Sequence, residues 1–127
     1  MSTKDSIYKQ HEENTEWLNK LRFYKDEINI LTGRLEEIAM KNSSVEVLAD
    51  VEHFQNQFII QRNNIDNIAH EVEMSEKTLI EEIKHNPTAV DHRKVDYHKK
   101  EFVLIESFEH NFKDIREEFM RFTARWM

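Results

Sequence analysis

Residues 95–126 read VDYHKKEFVLIESFEHNFKDIREEFMRFTARW. The apolar positions, with His98 among them, form a stripe: Val95, His98, Phe102, Ile105, Phe108, Phe112, Ile115, Phe119, Phe122 and Trp126. The steps along it are threes and fours, the spacing of one face of an α-helix, with a slip just before Glu109. A half-buried strand needs alternation with a period of two, and no useful length of that pattern occurs in the chain. A helix with one long apolar stripe must bury it against other elements.

Those elements lie upstream. Residues 47–83 carry Val47, Val51, Phe54, Phe58, Arg62, Ile65, Ile68, Val72, Ser75, Leu79 and Ile83 at the same spacing. Residues 7–38 carry Ile7, His11, Asn14, Leu18, Leu21, Tyr24, Ile28, Leu31, Leu35 and Ile38. Two breaks separate the segments, Asn42-Ser43-Ser44 and His85-Asn86-Pro87-Thr88. Ser43-Ser44-Val45-Glu46 reads as a capping box, with Ser43 capping and Glu46 reaching back. Thr88 to Asp91 repeats that pattern, and Pro87 before it stops the preceding helix.

The spacing therefore predicts three helices, about 4–42, 44–85 and 89–126. At about 1.5 Å rise per residue each is roughly 55–60 Å long. Short connections make successive helices antiparallel neighbours. The expected fold is all-α: an antiparallel up-down-up three-helix bundle of long, coiled-coil-like helices, with residues 1–127 as a single domain. Acid-first pairs at i,i+4, such as Glu16–Lys20 and Glu73–Lys77, favour helix by about 0.2–0.5 kcal/mol each. Gly33 inside the first helix marks a tolerated defect, a close helix approach or a slight kink. Tyr8, Trp17, Phe23, Ile30, Ile59, Ile60, Val103, Leu104 and Met120 lie off the stripes, and an exposed patch made of several of them would be covered by a second copy.

Composition removes most other architectures and chemistries. The 127 residues contain one Gly, one Pro and no Cys. Without Cys there is no disulfide scaffold, thiol nucleophile or cysteine zinc site. One Gly excludes glycine-rich phosphate loops and the nucleophile elbow. Adjacent acids such as Glu36-Glu37 point about 100° apart on a helix, so they do not converge as glycosidase carboxylates do. Ser and Thr cluster at presumed caps and turns, which argues against a nucleophilic triad.

The net charge is −7, and a surface of that sign repels phosphate backbones, so no nucleic-acid partner is expected. The acidity is concentrated in residues 43–86, with 3 basic and 9 acidic side chains, net −6. It reads as a solvated face or as a docking face for a basic partner. No apolar run approaches the roughly 20 residues of a membrane span, and MSTKDSIYKQHEEN lacks the apolar core of a secretory signal. The expected location is the cytoplasm.

The seven His residues raise a metal question. Folding the chain at its two breaks brings His11, His70, His85, His92 and His98 into one half of the bundle. His11 and His98 sit on stripes at one level, with Asn14 and Ser75 on stripe positions nearby. His11, Glu76, His98 and Glu101 form the candidate metal set, two imidazoles and two carboxylates on facing helices. The competing reading of the same end is a polar layer that sets helix register by hydrogen bonding. Known metal patterns are incomplete: Glu82-Ile-Lys-His85 occurs once where a di-iron bundle needs two copies, and no HExxH is present.

The expected function is non-enzymatic, a protein-interaction or scaffold bundle that self-associates as a homodimer, with no cofactor and no catalytic residue. The alternative is a small helical metal-binding protein that uses the His- and Glu-rich end.

Overall fold

The computed structural model describes the backbone of residues 3–85 and 92–126, and the side chains of residues 8–82, 84 and 98–126. Three helices pack together: α1 (Thr3–Lys41), α2 (Val45–His85) and α3 (His92–Trp126). No strand occurs among the described residues. The Thr88–Asp91 cap and Pro87 lie outside them, as do the side chains of Ile7, Ile83, His85, His92 and Val95.

The chain direction is read from cross-helix contacts. Between α1 and α2, His11 meets Glu76, Lys25 meets Asp66 and Asn29 meets Arg62, so the numbers run in opposite senses. Between α1 and α3, Glu13 meets His98, Lys20 meets Glu109 and Glu27 meets Arg116, so they run in the same sense. The bundle is up-down-up. Among the described residues no helix is long and apolar enough to cross a membrane.

The core positions alternate threes and fours without interruption in every helix. In α1 they are Gln10, Asn14, Trp17, Leu21, Tyr24, Ile28, Leu31, Leu35 and Ile38, Tyr24 being half-buried. In α2 they are Val47, Val51, Phe54, Phe58, Gln61, Ile65, Ile68, Val72, Ser75 and Leu79, Ser75 being half-buried. In α3 they are His98, Glu101, Ile105, Phe108, Phe112, Ile115, Phe119, Phe122 and Trp126, with Ile115 and Trp126 half-buried.

Four expected stripe positions are therefore corrected by one residue. Gln10 replaces His11, Trp17 replaces Leu18, Gln61 replaces Arg62, and Glu101 replaces Phe102. The cause is helical phase. The large apolar residues at the oily end lock each helix in rotation, and a stiff helix carries that rotation to its other end whatever residue falls there. The apparent slip before Glu109 disappears once Glu101 takes the place of Phe102.

Aromatic side chains fill the oily end and middle. Phe54 lies edge-on to Phe119 at 5.3 Å between ring centroids, and Phe58 does the same at 5.2 Å. Tyr24 lies edge-on to both Phe108 and Phe112, at 5.4 and 5.2 Å. Such pairs add about 0.5–1.5 kcal/mol each beyond the area they bury.

Local signals also differ in detail from the expectation. The Val47 amide donates to Ser44 Oγ at 3.4 Å and the Leu48 amide to the Ser44 carbonyl at 3.0 Å. Ser44, not Ser43, is the N-cap, a start that turns the fully buried Val47 inward as the first core residue of α2. Asn42 Nδ2 donates to the Ile38 carbonyl at 2.9 Å, satisfying an acceptor in the last turn of α1. Gly33 is exposed with nothing within 4 Å of an added Cβ, so it marks no close approach. Lys20 reaches across to Glu109 at 3.2 Å and not back to Glu16.

Candidate functional site

The end of the bundle opposite the Ser44 turn has a polar core. It begins with Trp17, whose indole stacks on the His98 imidazole at 4.6 Å between centroids and 24° between planes. That stack closes the apolar core and presents His98 Nε2 to Glu13 Oε2 at 2.9 Å. His98 Nδ1 is buried without a hydrogen-bond partner. On the other flank of α1, Asn14 Nδ2 donates to Glu76 Oε2 at 2.7 Å, and His11 Nδ1 meets Glu76 Oε1.

Glu101 stands apart from both pairs. It is 1% exposed, and neither carboxylate oxygen has a hydrogen-bond partner of ordinary geometry. Loss of water pushes its carboxyl up to about 7; the facing Ser75 hydroxyl opposes that rise and the nearby Glu71 charge adds to it. A shallow, open groove of about 560 Å³ between α2 and α3 is lined by Glu71, Lys99, Lys100, Val103 and Leu104 and backed by Glu101, whose carboxylate oxygens stay buried. A smaller depression of about 300 Å³ shares Glu71 and Leu104 and continues along the same helix pair past Asn64, Asn67 and Asn111.

The expected metal set divides in this geometry. His11 and Glu76 come together, His98 goes to Glu13, and Glu101 faces α2 with Ser75 and Glu71. Among the described residues no group of three or more His, Asp or Glu side chains is arranged to hold a metal ion. His53 and His110 lie towards the other end, against Glu118 and Asp114 at 3.7 and 3.8 Å.

Sequence reasoning gave Glu13 and Glu71 no role at this end and placed Trp17 off the stripe. The signal for Glu13 is a seven-residue series: Glu13, Lys20 and Glu27 flank the corrected α1 core on one side, and all three pair with α3. With the stripe drawn through His11 and Leu18 that series lies out of register. Glu71 flanks the α2 core beside Val72, and nothing in its surrounding sequence separates it from any solvated acid.

No family model, curated protein or solved structure matches this chain.

Proposed function

We propose that this chain is a non-enzymatic interaction module of the cytoplasm, a helical rod that pairs with a second copy of itself and docks a protein partner, with no nucleic acid bound. The observation that carries the reading is Phe102-Val103-Leu104, three successive side chains exposed at 46, 58 and 43%. Successive residues turn about 100° on a helix, so the three ring the solvent side of α3, Phe102 beside Trp17 of α1 and Val103 and Leu104 on the side of the α2–α3 groove. Each square ångström of such surface left wet forgoes about 25 cal/mol, and apolar surface gathered on one turn of a helix favours a covering partner. The shallowness of the grooves supports a docking role over catalysis, which calls for a concave, water-excluding pocket.

Light scattering on purified protein at high micromolar concentration tests self-association. The expected mass is that of two chains. The double variant Phe102→Lys, Val103→Lys should return one chain with an unchanged helical circular dichroism spectrum. A wild-type mass of one chain throughout that range overturns the homodimer.

Metal binding finds weaker support. His11 and His98 each meet a single carboxylate, short of the three or four ligands that hold zinc. Stoichiometric metal in protein purified without an affinity tag would reverse that preference.

A further inference from the structure

Lys99, Phe102, Val103 and Glu106 stand at i, i+3, i+4 and i+7 on α3, so they form one short stripe along two turns of its surface. All four are exposed, while the core residues of the same turns, His98, Glu101, Ile105 and Phe108, lie on another side of the helix. Phe102 marks the edge towards α1, its ring centroid 6.2 Å from that of Trp17. Further along that flank the charges are satisfied within the chain, Glu109 by Lys20 and Arg116 by Glu27. Lys99 and Glu106 make no hydrogen bond or ion pair among the described residues.

The stripe thus reads cation, two apolar side chains, anion, and that order matches itself in one direction only. Lys99 and Glu106 are separated by two turns, about 10.5 Å along the axis. A second α3 laid antiparallel across the stripe, with a two-fold axis between Phe102 and Val103, sets each Lys99 level with Glu106 of the other copy. At the centre each Phe102 comes level with Val103 of the other copy, and the apolar surface is covered from both sides. A parallel second copy sets Lys99 beside Lys99 and Glu106 beside Glu106, two like-charge contacts where the antiparallel pair has two opposite ones. A two-fold pairing also uses each contact twice and asks for no surface that this chain lacks.

We infer that two copies of the chain pair antiparallel through α3, with Phe102 and Val103 at the centre and each Lys99 meeting Glu106 of the other copy. The pairing deepens the proposed self-association, on which it rests, by giving it a direction and a register.

Two measurements test it. The first is the dimer dissociation constant of charge variants, by light scattering over a dilution series. Lys99→Glu and Glu106→Lys each turn both ion pairs into like-charge contacts, and each should weaken the dimer about tenfold. The double variant restores two opposite-charge pairs with their signs exchanged and should return to within about threefold of the wild type. Lys and Glu both favour helix and both sites are exposed, so the circular dichroism spectra should not change. The second measurement is a distance. The chain has no Cys, so Glu117→Cys at an exposed site carries a single spin label. Double electron–electron resonance should place the two labels about 45 Å apart in the antiparallel dimer, against less than about 25 Å in a parallel one. A dimer with the shorter separation, wild-type affinity in the single variants, or no recovery in the double variant would each overturn the antiparallel pairing and leave self-association standing. A wild-type chain that stays single at high micromolar concentration removes both.

Discussion

Gly33 stands in the middle of α1 with open space where a side chain would begin. Glycine in a helix interior forgoes backbone entropy and no neighbour here requires its small size. Gly33→Ala should therefore raise the unfolding free energy by about 0.5–1 kcal/mol, read from the urea midpoint. Glu101 is the opposite case, a residue whose cost depends on solution conditions. Its carboxyl is raised from 4.5 to about 7 by folding, so the folded state holds a proton that the unfolded chain releases. The contribution is fully present below about pH 4.5 and is lost as the pH rises through 7. Glu101→Gln should match the wild type closely near pH 4.5 and exceed it by on the order of 2–3 kcal/mol above pH 8, as measured by denaturation at each pH. Neither behaviour is legible in the sequence, because Gly33 and Glu101 owe it to what surrounds them. Phe102 beside Glu101 even points the wrong way, since hydropathy favours Phe for the core position that Glu occupies.

Each helix shows how phase outranks the individual residue. The run from Leu21 to Ile38 in α1 and that from Ile105 to Phe122 in α3 define rotations that their polar ends must follow. That is why Gln10, Gln61 and Glu101 are buried while His11 and Phe102 are exposed. The helix boundaries near 42 and 44 were readable from Asn42-Ser43-Ser44, because few residues there favour helix and Ser favours caps. Which Ser would cap was not, since either can accept from an amide three residues on. The burial of Val47 decided it. Ser44→Ala should lower stability by about 0.5–1 kcal/mol by removing that acceptor, and Ser43→Ala should leave it unchanged, both read from thermal melts.

For the molecule as a whole the aromatic core of α3 and its outer arc should respond differently. Phe112 is fully buried between Tyr24, Phe108 and the Arg116 guanidinium, which lies 4.9 Å from its ring centroid. Phe112→Ala should cost about 3–5 kcal/mol, seen as a lowered denaturation midpoint. Phe102→Ala should cost less than Phe112→Ala, because its ring is half exposed and only flanks Trp17, and it should weaken self-association, read by light scattering. The all-helical architecture and its three-helix count followed from periodicity and two breaks, because helix formation and amphipathic burial are set by residues three and four apart along one chain. Short connections then left few ways to arrange three rods. The pairing of His98 with Glu13 and the burial of Glu101 beside Ser75 and Glu71 followed from none of that. They depend on the rotation and offset of one helix against another, and those are set by the summed packing of side chains distant in the chain, to which no short stretch has access.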